Sequence, residues 1–385
     1  MMPDEQTKGV KSLKVAFLGG GCDSAVGQVH RVAIGMDRRF ELVAGCFSRD
    51  IEKNAETARQ YVVELSRVYS SHEELLVAEK SKIDAVIILT PTNSHVEQVA
   101  ACIEADMPVI CEKALVSSLE DARKIEELIN DKQAYLAVTY NYTGYPMLRE
   151  LRHMIDRGAV GKVQQVQIEM PQEGFIKQLE SGGVAAPQGW RLQDEKISTV
   201  SLDLGAHLHA IISFLTGEEP IELVSLNNSY GGFEQVVDSV MCMAKYSNNL
   251  SCNIWYTKAA LGYRNGLKVR VFGDRGAAEW CQANPEDLSF CDEYGRKMLL
   301  DRASPEIEIA NQLRYTRFKA GHPAGFIEAF ANYYCDIADT LEKYLQDRKP
   351  LDHENVFGVS DSVGCMHMLE AISDSSANSG WIKVQ

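Results

Sequence analysis

Short apolar runs alternate with helical patterns over the first 140 or so residues. Five runs rich in Val, Ile and Ala predict strands that are buried on both faces: KVAFLG, ELVAGCF, DAVIILT, PVICEK and AYLAVTY. In the segments between them, apolar residues recur at helical spacing. Three of these segments open with a capping-box pattern, predicted at Ser71 with Glu74, Ser94 with Glu97, and Ser117 with Glu120. The alternation predicts a doubly wound parallel sheet with helices on both faces.

The pattern changes from about residue 145. A helix and the strand VQQVQIEM are followed by β-rich runs with short connections: IELVSLN, VVDSVMCMAKY, LSCNIWYT, LKVRVFG and AAEWC. These runs predict a large, mostly antiparallel open sheet, and the chain closes with helical segments from about 324 to 345 and from 355 to 373. Since single cores rarely exceed about 250 to 300 residues, we predict an α/β protein of two domains. They are a Rossmann domain over 1–143 and an α+β domain for substrate binding and oligomerisation over 144–385.

Charge and composition narrow the class of partner. The chain has 39 basic and 54 acidic residues, a net charge of −15, which argues against nucleic acid or an anionic membrane as the main partner. The first residues, MMPDEQTKGVKS, are polar, and the longest apolar runs have only strand length. We therefore expect a cytoplasmic protein.

The ten cysteines are interpreted as reduced thiols that pack as small hydrophobic side chains. No CxxC pair occurs, and six of the ten lie within apolar periodic segments: Cys46, Cys102, Cys111, Cys242, Cys252 and Cys335.

The stretch VAFLGGGCDSAVGQVH follows a strand with glycines, as a dinucleotide-binding loop does, but its spacing departs from GxGxxG. After Gly19 and Gly21 the third glycine arrives only at Gly27, three residues late. The stretch is either an ordinary glycine-rich turn or a fingerprint with an insertion. We favour the insertion, in which backbone amides approach a diphosphate at a helix start and Gly27 packs the helix on the strand. The predicted cofactor residues of this loop are Gly19, Gly21, Ser24, Ala25, Val26 and Gly27.

The second strand ends in CFSRD, where NAD sites tend to place a carboxylate for the ribose hydroxyls. Ser48 and Arg49 stand there instead, and a hydroxyl beside a guanidinium suits a 2′-phosphate. The cofactor is therefore NAD or NADP, with NADP favoured. In the alternative interpretation, Arg49 is a solvated loop residue and Asp50 caps the next helix.

Polar residues also follow two later strands, in LTPTNSH and CEKAL. Ligands of open parallel sheets bind beyond the carboxyl ends of the strands, so we expect these side chains to project toward one crevice. The residues concerned are Thr90, Pro91, Asn93, His95, Glu112 and Lys113. Taken alone, Lys113 would be interpreted as a surface lysine.

In SLDLGAHLHAIISFLTG, Asp203 and His207 stand four residues apart and share a helix face. They are a candidate catalytic pair, although Asp203 can also be a helix cap and His207 a structural residue. Metal binding by Asp203, His207 and His209 is not favoured, because His209 lies roughly 200° around a helix from His207. We predict no metal site.

These motifs together resemble the Gfo/Idh/MocA oxidoreductases, the glucose-fructose oxidoreductase and inositol dehydrogenase family. The resemblance covers nearly the whole chain. It is carried by the glycine loop ending in GQVH, by TPTNSH, by CEKA where the family has EKP, and by GAVGKVQQV, DLGAH and GDRGAAEW. TYNYTGYPM and AGHPAGFIEAFANYY resemble a less characterised branch with the same lengthened loop.

The resemblance implies an NAD(P)-dependent enzyme that acts on a sugar-like or cyclitol alcohol. It implies that His207 exchanges the hydroxyl proton, that Lys113 positions and polarises the same oxygen, and that Asp203 orients the pair. Ala114 replaces the family's proline, which loosens the backbone that aims Lys113.

We expect substrate contacts from Asn141, Trp190, Arg191 and His322. Asn141 and Tyr142 stand where many members of the family carry a basic residue. Arg191 suits a carboxylate or phosphate, hence a uronate or a nucleotide sugar, unless it is a solvated loop charge.

Two other functions remain open. Some relatives are NAD-dependent glycosidases that recycle the cofactor, and a non-catalytic cofactor sensor or scaffold would keep the fold without turnover. The open sheet of the second domain predicts a homodimer or a homotetramer.

Overall fold

The computed structural model describes residues 12–349 and 354–384. The polar amino-terminal stretch MMPDEQTKGVKS, which supported the expectation of a cytoplasmic protein, lies, apart from Ser12, outside the described residues. No helix in the described part of the chain is long and apolar enough to cross a membrane.

Five parallel strands form the first sheet, in the order β2-β1-β3-β4-β5. The strands are β1 (Leu13–Gly19), β2 (Phe40–Cys46), β3 (Ala85–Leu89), β4 (Val109–Glu112) and β5 (Leu136–Thr139). Their connecting helices are α1 (Ala25–Met36), α2 (Ile51–Tyr61), α3 (His72–Glu79), α4 (His95–Glu104) and α5 (Leu119–Lys132). All five predicted strands are present, and β3 is buried along its whole length.

Helix capping agrees with the predictions only in part. Ser71 caps α3 by accepting a hydrogen bond from Glu74 N, as predicted. The prediction at Ser94 is wrong, because a 3-10 turn (Thr92–Ser94) leads directly into α4 and already holds Ser94 in a helical conformation. At the start of α5 the hydroxyl that accepts from the helix is that of Ser118, from Asp121 N at 3.1 Å, instead of the predicted Ser117.

The second sheet has nine strands, in the order β13-β12-β11-β10-β6-β9-β8-β7-β14. Only the pair β6 and β9 is parallel among them, so the prediction of a mostly antiparallel sheet is confirmed. The strands are β6 (Val163–Pro171), β7 (Pro220–Asn228), β8 (Ser239–Tyr246), β9 (Ser251–Thr257), β10 (Lys268–Gly273), β11 (Ala277–Cys281), β12 (Leu288–Cys291), β13 (Lys297–Leu300) and β14 (Ile382–Lys383).

The helices of the second half are α6 (Pro146–Asp156), α7 (Ala206–Thr216), α8 (Phe326–Asp347) and α9 (Val359–Asn378). Helices α6, α7 and α9 contact this sheet, and buried and exposed residues alternate along its strand β8. Helix α9 is tied to β7 by the Ser225 hydroxyl, which donates to Ile372 O at 2.6 Å. In β8, Val240, Cys242 and Ala244 are buried while Met241 and Met243 are exposed.

Two compact units divide the chain differently from the predicted boundary at 143/144. Of the described residues, the first unit holds 12–116, 123–139, 330–349 and 354–359, and the second holds 117–122, 140–329 and 360–384. Residues 330–359 join the first unit because α8 packs on its sheet: the Tyr333 hydroxyl donates to Val138 O at 2.7 Å, and Tyr135 bonds to the Thr340 hydroxyl at 2.8 Å. A sequence pattern shows that α8 is a helix but not which sheet it covers.

All ten cysteines lie within the described residues and carry free thiols, as predicted. Burial raises the pKa of several of them, for example that of Cys102 to about 12. These thiols act as small apolar side chains at neutral pH.

The glycine contact between β1 and α1 yields a stability prediction. A β-carbon on Gly27 would lie 2.2 Å from the carbonyl oxygen of Gly20, so Gly27→Ala is expected to destabilise the protein by about 1–3 kcal/mol. Gly35 is the matched control in the same helix, since its β-carbon would meet only the flexible end of Arg31 at 3.3 Å. Gly35→Ala should stabilise by about 0.5–1 kcal/mol. Urea unfolding measures both, and equal effects would contradict the contact.

Candidate active site

The order of the parallel strands marks a crevice between β1 and β3. The chain moves to one side of β1 for β2 and to the other side for β3, and ligands of such sheets bind at the carboxyl ends beside that switch point. Gly19 lies opposite Leu89 there. A β-carbon on Gly19 would lie 2.9 Å from both the Leu89 carbonyl and the Thr90 side chain, so the two loops touch at this edge.

The glycine loop brings backbone against backbone. Gly19 and Gly20 have φ of +81° and +71°, which favour glycine. Gly27 packs on the main chain of Gly20, as expected for the third glycine of a fingerprint with an insertion, and the Tyr61 hydroxyl donates to Gly20 O at 2.9 Å. Gly20 is thus the backbone partner of Gly27, and the sequence alone did not predict which residue would be that partner.

The first turn of α1 is arranged to receive an anion. The Ser24 hydroxyl caps the helix by accepting from Gly27 N at 3.1 Å, and Ser24 N donates to Gly21 O at 2.8 Å. The amides of Ala25 and Val26 have no acceptor within the helix at this position, and both residues are exposed. Amides at a helix start fit the diphosphate of a dinucleotide.

At the end of β2, Asp50 is the N-cap of α2: its carboxylate accepts from Lys53 N at 3.0 Å. This part of the alternative interpretation is confirmed. Ser48 accepts from Asp50 N at 3.1 Å, and Arg49 is exposed beside it.

The prediction that His95 projects into the crevice is wrong. His95 is buried, with its ring nitrogens 2.8 Å from Thr90 O and 3.0 Å from Ala114 O. It therefore joins the loop after β3 to the loop after β4 from inside the protein. Of its predicted companions, Pro91 and Asn93 are exposed, while Thr90 donates to the Gln98 side chain at 2.6 Å.

Glu112, at the end of β4, is held by a buried hydrogen-bond network. His30 Nε2 lies 2.9 Å from the Glu112 carboxylate, His30 Nδ1 lies 2.5 Å from the Tyr334 hydroxyl, and the Thr139 hydroxyl donates to Glu112. Burial works to raise the pKa of Glu112, but His30, Lys113 and Thr139 together hold it below its usual range. Glu112 is thus an oriented anion directly before Lys113, which is half-buried.

Ala114, which replaces the family's proline, is buried, and its carbonyl is the one bonded to His95. The main chain after Lys113 is therefore anchored from the side of β3.

In the second unit, Asp203 lies in a π-helical turn (Ser201–Gly205) that runs into α7. The spacing of four between Asp203 and His207 thus spans a π turn and not the continuous α-helix that we expected. Asp203 Oδ2 lies 2.5 Å from Arg191 Nη1 and 2.5 Å from Lys258 Nζ. One carboxylate therefore lies between two cations.

Two aromatic rings support these cations. The Lys258 ammonium lies 5.2 Å from the centre of the Phe175 ring, and the Arg191 guanidinium lies 4.4 Å from that of Trp190. Lys258 itself is only 7% exposed. A buried ammonium needs a paired carboxylate, so Lys258 and Asp203 fix one another.

His207 lies edge-on to tyrosine rings, 4.7 Å from Tyr142 and 6.2 Å from Tyr140 between ring centres. His209 is buried, with Nδ1 3.2 Å from the sulfur of Met368, and burial lowers its pKa to about 4. His209 is thus a neutral core histidine.

The residues expected to contact substrate are spread over the second unit. Arg191 and Trp190 form the cluster with Asp203. Asn141 follows β5, is 3% exposed, and its side-chain nitrogen has no hydrogen-bond partner among the described residues. His322 is exposed, against Phe318, with ring centres 4.5 Å apart. The orphaned amide makes Asn141 the strongest of these candidates.

Sequence reasoning missed three residues of these clusters: Gly20, His30 and Lys258. Gly20 and His30 stand inside a motif that we quoted, but only packing shows their roles. Lys258 follows β9 directly, and a lone lysine at a strand end carries no signal that it is buried.

Two sequence models of one oxidoreductase family match the chain. The first, described as "Oxidoreductase family, NAD-binding Rossmann fold", matches residues 13–140, and the second, "GFO/IDH/MocA C-terminal domain", matches residues 148–279.

Known proteins of similar length align along the chain. A crystal structure of an oxidoreductase from Sinorhizobium meliloti is 32% identical, with a TM-score of 0.84, over 97% of this chain and 100% of the other. An inositol dehydrogenase homolog from Azotobacter vinelandii, complexed with NADH and myo-inositol, is 26% identical with a TM-score of 0.86, over 97% and 98%. "Uncharacterized oxidoreductase YfiI" of Bacillus subtilis (strain 168) is 28% identical over 354 residues, 89% of each chain.

The network around Glu112 predicts a pH-dependent loss of stability. His30→Phe removes a hydrogen bond to a buried carboxylate and should cost about 1–3 kcal/mol at neutral pH. The folded chain lowers the pKa of Glu112, so its charge stabilises the fold above the ordinary value of about 4.3 and that contribution is lost as the pH falls through the lowered value. The cost of the substitution should therefore shrink on acidification.

Urea unfolding at neutral and at acid pH measures this cost. His153→Phe is the control, since His153 pairs with Glu308 at the surface, and it should cost less than about 1 kcal/mol. A pH-independent cost for His30→Phe would contradict the assignment.

Proposed function

Because this chain belongs to the Gfo/Idh/MocA family of NAD-binding oxidoreductases, we propose that it transfers a hydride between the nicotinamide and a secondary alcohol or ketone of a sugar, uronate, cyclitol or nucleotide sugar. The observation that carries this proposal is the Asp203 carboxylate between Arg191 and Lys258, four residues before His207. The homolog from Azotobacter vinelandii supports a cyclitol or sugar as substrate class, since it is complexed with myo-inositol.

The residues of the chain supply acid-base and electrostatic assistance, while the nicotinamide supplies the hydride chemistry when bound. His207 exchanges the proton of the substrate hydroxyl, a role that suits an imidazole near neutral pH. The Lys113 ammonium stabilises negative charge that develops on the same oxygen. Asp203 orients the pair, and Arg191 and Lys258 each form an ion pair with Asp203.

The charge around Asp203 bears on the substrate. Two cations, Arg191 and Lys258, lie 2.5 Å from one oxygen of the Asp203 carboxylate. Arg191 donates to Asp203 through Nη1, and its guanidinium carries further N–H donors. An acidic substrate, such as a uronate or a nucleotide sugar, therefore stays within the proposed class.

A substrate panel tests the proposed function. Purified protein is mixed with sugars, uronates, cyclitols and nucleotide sugars, each with NAD and with NADP, and absorbance is followed at the reduced-nicotinamide band. Turnover of one class supports the proposal. Release of sugar from an aryl glycoside without net reduced cofactor would identify a glycosidase instead, and cofactor binding without any turnover would identify a sensor or scaffold.

Substitutions at the proposed catalytic residues should separate chemistry from cofactor binding. His207→Ala and Lys113→Met should each lower kcat by about 10²- to 10⁴-fold, the usual size of acid-base assistance. Affinity for the cofactor should stay within a few-fold in a fluorescence titration. Unchanged kcat in either variant would remove the role assigned to that residue.

Lys258→Met is a third variant that tests positioning. It keeps a long apolar side chain over Phe175 but removes one of the two cations on Asp203, so we expect a lowered kcat and a shifted pH profile with the fold intact. The matched control is Lys245→Met on the neighbouring strand β8, which removes a surface ion pair with Glu222. A pH profile identical to wild type would leave Lys258 with a structural role alone.

We propose that the protein is a homodimer or homotetramer in the cytoplasm. The face of the second sheet that carries Leu226, Met241 and Met243 exposes apolar side chains on adjacent, paired strands. Sedimentation gives the oligomeric state, and a monomer at micromolar concentration would contradict the proposal.

A further inference from the structure

We propose that Asp23, within the lengthened glycine loop, supplies the carboxylate that the end of β2 lacks, and that it makes the enzyme prefer NAD to NADP. This inference rests on the proposed function, because it concerns how the same cofactor is recognised. It reverses the preference that Ser48 and Arg49 suggest when the sequence is considered alone.

The insertion places Asp23 at the end of β2. A β-carbon on Gly21 would lie 3.3 Å from Asp23 Oδ1 and also 3.3 Å from the carbonyl oxygen of Phe47, the residue that follows β2. The loop is fixed in this position by Cys22 N, which donates to the Thr57 hydroxyl of α2 at 3.0 Å. The Asp23 carboxylate therefore lies where the glycine loop meets the β2–α2 turn, the place of the adenosine ribose in dinucleotide sites.

An ion pair orients this carboxylate. Asp23 Oδ2 lies 2.6 Å from the ammonium of Lys53, in the first turn of α2, and this hydrogen bond lowers the pKa of Asp23. Asp23 is exposed, so a ligand can reach it. An ionised carboxylate accepts hydrogen bonds only, which matches the two hydroxyls of an unmodified ribose.

The Asp23 carboxylate would repel the 2′-phosphate of NADP. This phosphate carries about −1.5 to −2 charges at neutral pH and would lie against an anion that is already paired with Lys53. Arg49, which is exposed, would attract such a phosphate, so the preference depends on which of the two charges the ribose meets first. Asp50, the acidic residue of that turn, already accepts a hydrogen bond from Lys53 N as the cap of α2, whereas Asp23 lies in the glycine loop beside Gly21.

The test compares dissociation constants of NAD and NADP for the full chain, measured by calorimetry without substrate. Asp23→Asn should weaken NAD and strengthen NADP, and should shift the ratio of the two constants by about tenfold or more, the size of a charge-assisted hydrogen bond. Asp50→Asn is the matched control, because it removes the same charge from the β2–α2 turn and asparagine caps a helix equally well. Its ratio should change by less than about threefold.

Two further variants identify the partner of the ribose. Lys53→Met removes a cation and keeps the Asp23 charge, so it should increase the preference for NAD over NADP, while Arg49→Ala should weaken NADP more than NAD. The inference is overturned if wild type prefers NADP, if Asp23→Asn leaves the ratio unchanged, or if Lys53→Met abolishes NAD binding while Asp23→Asn does not affect it. Failure of the wild type to bind either cofactor would instead refute the proposed function.

Discussion

The contact of Gly27 with the main chain of Gly20 is the constraint on which the first unit depends. It brings α1 so close to β1 that no side chain fits between them. Two consequences follow along the same helix. Ser24 caps it and leaves the next two amides at the carboxyl edge of the sheet, and His30, one turn after Gly27, reaches Glu112 beyond β4. The contact between Gly27 and Gly20 thus fixes two features: the position of the free amides at the start of α1, and the position of His30, which bonds to the carboxylate of Glu112 before Lys113.

In the second unit the main constraint is an ion pair, whereas in the first unit it is a contact between two backbone segments. Lys258 is nearly buried, and burial of an ammonium is costly without a paired anion. The π turn brings Asp203 to that ammonium, and Ser201 of the same turn is fixed by Tyr256 of β9, with 2.8 Å between the hydroxyl oxygens. Strand β9 therefore supplies the anchor of the turn that carries Asp203, and the residue directly after the strand supplies the cation. The position of His207 on α7 follows from that arrangement.

The sequence predicted the elements whose signals are local. Long apolar runs identified all five parallel strands, including the four-residue β4 and β5, whereas β12 to β14 were missed. Strand β13 exposes three of its four residues, so it shows no buried apolar run. The candidate crevice was predictable because parallel strands end at one edge, but not every side chain there faces it, and His95 is turned inward between two carbonyls. His30 and Tyr334 are separated by 304 positions, and Asp203 and Lys258 by 55. Hydrophobic periodicity along the chain gives no signal for pairs of residues so far apart in sequence.

The lengthened loop also explains why a residue type at one position is weak evidence for cofactor choice. Helix α2 needs an N-cap, and one oxygen of the Asp50 carboxylate provides it, so an acid in this turn serves the helix whatever the cofactor is. The absence of an acid at the end of β2 was interpreted as room for a phosphate. Extra residues in the neighbouring loop fill that space with Asp23, held by Lys53 from the helix that Asp50 caps. The relevant quantity is the total charge that the two loops contribute to this part of the site. The charges of Asp23, Lys53, Arg49 and Asp50 sum to zero, so there is no excess of positive charge for a 2′-phosphate to neutralise.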